Sequence, residues 1–322
     1  MTMNNHAENK HAENKHRDVI IIGAGAAGLS AGLVLARARA NVLVIDAGEP
    51  RNAAATHMQG FLTRDGMPPQ EFAEAGRREV LAVGGAILPA RVSAIARRED
   101  GACEVSLADG TALVARAVLV ATGLRDEIPD IPGAAARWGA TLHHCPYCHG
   151  YEVRTQTIGV IGGFVREMAF KQAGLLRRYS DRVTFVTNGI ELTPTERGRL
   201  EALGVPVVDG TVSGLAGEQG KLDGITLADG RTIECEAAFI APRLRPTDEL
   251  LRSLDCEIDP ATGLVAVDRT GQTSVPGVWA AGNVVTPSAQ VITAAGAGSA
   301  SAIAINGWLL QQDIDTAFAG QS

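Results

Sequence analysis

Two cysteines stand two residues apart in the run HHCPYCHGYE, at Cys145 and Cys148, and His149 follows the second directly. Sulfurs at that spacing can close into a disulfide and reopen, and in a chain with a nucleotide-binding loop they can exchange electrons with its cofactor. Such a loop is present, since Gly23, Gly25 and Gly28 make up GAGAAG. Thiol–disulfide redox chemistry tied to a dinucleotide is therefore expected. CxxCH is also the spacing of covalent haem attachment, but that chemistry belongs to exported proteins. The start of this chain, MTMNNHAENK, lacks the apolar stretch of a secretory signal. Zinc held by Cys145, Cys148 and two nearby histidines has suitable ligand types. Closing a tetrahedron within so short a segment is awkward and no second ligand pair stands elsewhere, so no metal is expected. Cys103, Cys235 and Cys256 are scattered singly and read as buried structural thiols.

These residues need elements to hold them. The apolar run at 18–22 ends on Gly23, a helix-forming stretch covers 26–38, and a second apolar run at 41–45 closes on Asp46. That is a βαβ unit. Gly23 makes the tight turn, Gly25 lets backbone approach a pyrophosphate, and Gly28 lets helix pack on strand. Asp46 stands where it can accept a hydrogen bond from a ribose hydroxyl. Short alternating segments over 84–115 suggest an antiparallel meander turning at Asp109-Gly110, and 117–121 reads as a further buried strand. Residues 125–133 and 242–246, each with two prolines, read as linkers. Between them lies a second βαβ-like pattern, with strands at 157–161 and 182–187 around a helix at 165–178, closed by a strand at 237–241. An alanine-rich helix over 289–310 follows GVWAAGNV.

The chain has 322 residues, 46% apolar and 20% charged, enough for two domains with full cores. Its 36 acidic against 29 basic residues give a net charge of −7, which opposes nucleic acid or an anionic membrane as partner. No apolar run approaches the roughly 18–20 residues of a membrane span. A cytoplasmic location is expected. The repeat HAENKHAENK within 1–17 reads as a disordered polar tail rather than a metal site.

GAGAAG, the Ala121-Thr122-Gly123 turn, the CxxC in the inserted region, and GVWAAGNV followed by Gln290-Val291 together resemble the low-molecular-weight thioredoxin reductases over essentially the whole chain after the tail. The resemblance implies an α/β fold of two nested Rossmann-like, three-layer ββα nucleotide-binding domains. An FAD domain would comprise 18–127 and 243–322, with an inserted NADPH-type domain at 128–242 carrying the CxxC. It implies FAD as cofactor and a homodimer. Gly282 and Asn283 would meet the ribityl chain or phosphate, and Gln290 and Val291 the isoalloxazine. Ala26, Ala27, Ala47, Arg51, Asn52, His57 and Val92 would join Ala121, Thr122 and Gly123 in the FAD site. The family usually has Asp where this chain has Asn283.

The inserted fold departs from the family. After Gly162-Gly163 the fingerprint positions hold Phe164 and, one turn into the helix, Glu167. A phenylalanine where backbone must touch pyrophosphate and a carboxylate at the helix N-terminus both oppose NADPH. Thr187-Asn188-Gly189 supplies neither a basic pair for a 2′-phosphate nor an acid for NAD, and only Arg166 offers partial compensation. The stretch with Asp46, Arg51, Asn52, His57 and GFLTRDG, and CPYCHGYE in place of CxxC followed by Asp, is similar to the flavin-dependent dithiol oxidases that close the disulfides of holomycin and gliotoxin. That similarity implies electrons passing from a small dithiol through Cys145 and Cys148 to FAD and then to dioxygen. Cys145 would be the sulfur attacked, and His149 the acid/base group, titrating near neutrality and oriented by Glu152 if the turn is helical. His143 and His144 are each open to a pocket or a structural role. An NAD(P)H-dependent disulfide reductase and a non-catalytic flavin redox sensor are the competing readings.

Overall fold

The computed structural model describes residues 16–218 and 220–320. The HAENK repeat lies outside them. By contact the chain forms two compact units, one of residues 16–51, 70–125 and 246–320, the other of 52–69 and 126–245. The segment 52–69, expected with the first fold, thus groups with the inserted one.

The first unit opens with the expected βαβ: β1 (His16–Ile22), α1 (Ala26–Arg37) and β2 (Val42–Asp46). Then come α2 (Pro69–Ala82), β3 (Ala86–Pro89), β4 (Val92–Arg97), β5 (Cys103–Leu107) and β6 (Ala112–Val120). The third meander strand and the following buried strand are therefore one. β6 pairs parallel to β1 along Val114–Val120, antiparallel to β5 at Ala112–Ala115, and parallel to the late strand β17 (Val278–Ala280) at Val118–Val120. Alternation along β1 sorts the core. Val19 and Ile21 pack with Leu29 and Leu35 of α1, whereas Ile20 and Ile22 pack with Ile95, Val105 and Leu107 of the meander.

The chain crosses between units through β7 (Leu124–Glu127) and returns through β16 (Arg243–Pro246), and the two pair as a ribbon. Both had read as linkers, because proline and charge mask so short a strand. Glu127 accepts from Arg243 at 3.2 Å and Arg245 at 2.6 Å across the ribbon.

The inserted unit holds α3 (Ala134–Arg137), β8 (Leu142–His143), α4 (Pro146–His149), β9 (Ile158–Ile161), α5 (Arg166–Leu176), β10 (Val183–Val186), α6 (Pro194–Ala202) and β11 (Val207–Val208). An antiparallel meander of β12 (Val212–Ala216), β13 (Gly224–Leu227) and β14 (Thr232–Glu234) precedes β15 (Ala237–Ile240). The parallel sheet runs β11-β10-β9-β15-β8, and its faces again divide between helices and meander. The layered construction occurs twice, one copy nested in the other.

Back in the first unit follow α7 (Glu249–Arg252), β17 (Val278–Ala280) and α8 (Val291–Ala319), which ends nine residues later than expected. No helix among the described residues is long and apolar enough to cross a membrane. Cys103, Cys235 and Cys256 are buried free thiols, and burial pushes the Cys235 thiol up to about 12.

Candidate active site

In the first unit the glycine loop is shaped by its carbonyl neighbours. Gly23 has φ +106°, and a Cβ there would lie 2.4 Å from the Ala121 carbonyl oxygen. A Cβ on Gly28 would lie 1.8 Å from the Gly23 oxygen. Gly25 differs, since its Cβ would meet nothing within 4 Å. It is the N-cap of α1, with no side-chain cap and no acid in the first turn, so the Ala26 and Ala27 end of the helix presents amide N–H groups to open space. That is the cradle a pyrophosphate needs.

A second helix N-terminus has the same character. α8 starts after Gln290, again without a side-chain cap, and a Cβ on Gly298 would lie 2.0 Å from the Ala27 oxygen, so α1 and α8 cross at van der Waals contact. Gly282, at φ +80°, fits the same crossing, its Cβ position 3.0 Å from that of Ala27. Both helices thus begin without a side-chain cap, at Gly25 and at Gln290, and each leaves a positive dipole end for an anion or a polar ring edge. Thr122 donates its hydroxyl to the Thr247 oxygen at 2.6 Å, and the Thr247 N–H donates to the Gly123 oxygen at 3.0 Å, closing the Ala121–Gly123 turn.

Asp46 ends β2, followed by Ala47, and is engaged on both oxygens, by the Gly48 N–H at 2.9 Å and by Arg77 at 2.5 Å. Each oxygen keeps a further lone pair for a ribose hydroxyl. Val92 starts β4 opposite Leu107. Asn283 donates its amide nitrogen to the carbonyls of Thr286, Pro287 and Ala289 and accepts from Arg51 at 3.4 Å. Asn52 and His57 fall in 52–69 and so belong to the other unit, where the His57 ring contacts Thr56 Oγ1 at 3.1 Å.

The inserted unit carries the dithiol. Cys145 and Cys148 form a disulfide with Cα atoms 5.2 Å apart, and both residues are half-buried. Cys145 is the N-cap of α4, Pro146 sets the first turn, and the Cys148 N–H donates to Cys145 Sγ at 3.1 Å. Tyr147 stays 63% exposed. His149 closes α4 with its ring stacked on His143, centroids 4.3 Å apart and planes 18° apart. His144 points elsewhere and stacks on Trp138 at 5.6 Å.

Burial holds the His149 imidazole below the usual histidine range, and the Glu152 charge only partly offsets it. Desolvation outweighs the neighbouring carboxylate and sets the direction of the shift. His143 is pushed down to about 3, first by burial and then by the two other histidines. At neutral pH both rings are uncharged, which makes His149 a proton acceptor rather than a cation beside sulfur.

The sequence leaves His143 open to a pocket or a structural role and does not single out Gln172. Gln172 is buried on α5 beside Ala169, Ala173 and Leu176 and donates to the His144 oxygen at 2.7 Å. A lone amide on an apolar stripe was the available signal.

The second glycine motif is equally tight at its turn but carries a side chain, Phe164, at its second fingerprint position. A Cβ on Gly162 would lie 2.1 Å from the Thr187 oxygen, and one on Gly163 would lie 2.3 Å from the Ala241 oxygen. Phe164 follows with its ring under the Arg243 guanidinium at 4.6 Å. Asn188 turns its amide nitrogen onto the Gly162 oxygen at 2.8 Å. Arg166 is paired with Glu196 and donates to the Glu191 oxygen at 3.1 Å.

Comparison with known proteins gives one family and a consistent set of relatives. The model described as pyridine nucleotide-disulphide oxidoreductase matches residues 17–298. Thioredoxin reductase sirT of Leptosphaeria maculans is 29% identical over 92% of this chain and 95% of its own. Thioredoxin reductase tcpT of Claviceps purpurea is 34% identical over 83% and 86%. Among solved structures, HlmI is 49% identical with a TM-score of 0.91, covering 95% of this chain and 96% of its own. The putative thioredoxin reductase TrxB from Bacillus anthracis is 33% identical with a TM-score of 0.88, covering 92% and 99%.

Proposed function

The chain belongs to the pyridine nucleotide-disulphide oxidoreductase family, as a thioredoxin reductase-like FAD enzyme of thiol–disulfide chemistry, and from that premise we propose that it is a dithiol oxidase. It closes an intramolecular disulfide in a small-molecule dithiol, with dioxygen as the final acceptor and hydrogen peroxide as the second product. The carrying observation is the contrast between the two glycine motifs. Gly25 faces open space at an uncapped helix end, whereas Phe164, packed under Arg243, stands where a nicotinamide dinucleotide would need bare backbone.

Gly23, Gly25, Ala26, Ala27, Asp46, Gly282, Asn283, Gln290 and Val291 would hold FAD, for which the open cradle and uncapped helix ends are suited. FAD held there would supply a two-electron acceptor for the reduced cysteine pair that dioxygen can reoxidise. The remaining work falls to this chain's side chains. His149, uncharged, accepts a proton from the first substrate thiol, and the thiolate attacks Cys145 Sγ, so that the Cys145–Cys148 bond breaks and Cys148 leaves as a thiolate. The second substrate thiol gives its proton to solvent and attacks the substrate sulfur of the mixed disulfide. The cyclic disulfide forms and Cys145 leaves as a thiolate, onto which the Cys148 N–H is already directed at 3.1 Å. Two electrons then rest on the cysteine pair.

Anaerobic mixing tests the reading. A dithiol should bleach the flavin while NADPH leaves it yellow, and air should restore the colour with one peroxide per disulfide. Rapid bleaching by NADPH would instead support a nucleotide-dependent disulfide reductase, the second reading, favoured by the similarity to the thioredoxin reductases sirT and tcpT. The proposal includes a cytoplasmic homodimer, supported by the exposed apolar residues Ile303, Leu310, Ile314 and Phe318 on α8.

A further inference from the structure

His143 takes no part in the steps above, yet it is a nearly fully enclosed polar group next to the dithiol helix. It ends β8, its Cα is in register with Phe239 on β15, and its ring is 4% exposed. Phe239 lies against it at 5.3 Å, tilted by 48°, so the ring is backed by a sheet residue that is itself fully buried. The ring also meets the His149 ring in a near-parallel stack. Rings stacked in parallel do not hydrogen-bond through their edges, and Nδ1 of each is buried with no partner among the described residues. The contact is therefore one of surfaces. Gln172, bonded to the His144 oxygen, fixes the turn between β8 and α4 and with it the offset of the two rings.

Charge does not explain why a histidine stands there. His143 stays neutral down to about pH 3 and cannot repel a proton on His149 at working pH. The largest influence on His149 is burial. The other titratable groups acting on the pair are His144, on the same strand end, and Glu152, in the turn after α4. Phe239 of β15 and Gln172 of α5 carry no charge.

We propose that His143 is a positioning residue, a fixed wall that keeps one face of the His149 imidazole dry and holds that ring beside the dithiol as a proton acceptor. Removing the wall admits water, which favours the protonated ring and costs base function on the acid side. An aromatic ring of similar size should serve as well, because area and not titration does the work. The inference rests on the reading of His149 as the base, but its test requires neither dioxygen turnover nor the natural substrate.

The experiment uses the FAD-loaded full chain labelled with ¹³C-histidine, the His149 resonance being assigned by loss in His149→Gln. Its titration is followed in wild type, His143→Ala, His143→Asn and His143→Phe. In parallel, anaerobic flavin reduction by dithiothreitol is timed at about pH 5.5 and about pH 8. In His143→Ala the His149 resonance should titrate at higher pH, and reduction at the lower pH should slow about three- to tenfold relative to wild type. The rate at the higher pH should stay within about twofold. His143→Asn should match Ala, and carries the test if Ala does not fold. His143→Phe should keep the wild-type titration and both rates. Small variants that leave the acid limb unmoved, or a Phe variant that moves it as Ala does, would overturn the proposal. An enzyme that NADPH bleaches or air fails to reoxidise would remove the oxidase reading and leave these comparisons intact.

Discussion

Asn283 shows what one atom decides. Three carbonyl oxygens surround its side-chain nitrogen, and only an amide can donate to them. A carboxylate would face those oxygens unpaired, so Asn283→Asp should cost about 1–3 kcal/mol, read as a lower urea midpoint, and speed FAD loss on dilution. Gly25→Ala separates folding from binding. The site has room, and φ of −76° suits alanine, so the melting temperature should hold within about 2 °C while FAD retention falls at least about tenfold. His143 makes stability depend on pH. Below about pH 6.5 the unfolded ring takes a proton that the folded ring refuses down to about 3, so stability falls with pH across that window, by up to about 1.4 kcal/mol per unit. His143→Phe should flatten that slope in urea titrations between neutral and acid pH. The cysteines and first glycines were legible because their spacing is local. The ring stack and the Arg77–Asp46 ion pair were not, since each joins residues from separate elements.

At the level of elements, legibility followed length and periodicity. The βαβ runs were long, apolar and closed by glycine or acid, and they appear within two residues of expectation. β6 was read as two pieces because its first half alternates, beside a one-sided meander, and its second is continuously apolar, buried on both faces. β7 and β16 were hidden because a four-residue strand of charged residues has no periodic signal. The α1–α8 crossing was visible only as a glycine among alanines. Gly298→Ala should force these helices apart, with a cost of about 1–3 kcal/mol or more in unfolding and loss of retained flavin absorbance. A variant that melts and binds as wild type would show that the crossing tolerates a methyl group.

For the whole molecule, the nested order was legible from two glycine patterns and the CxxC between them, whereas the allegiance of 52–69 was not, because contacts rather than composition assign it. The outer face of α8 carries Ile303, Leu310, Ile314 and Phe318, the last 72% exposed. Ile314→Arg should shift the protein to half mass in light scattering without changing the rate of dithiothreitol reduction. The pairing of β17 with β6 has a consequence for synthesis. While a nascent chain emerges, Val118–Val120 must keep an open strand edge until Val278–Ala280 leaves the ribosome, after the inserted sheet has already been made. The inserted fold can therefore mature first, and the flavin cradle last, during an interval when translation pauses or scarce chaperones expose that edge to aggregation.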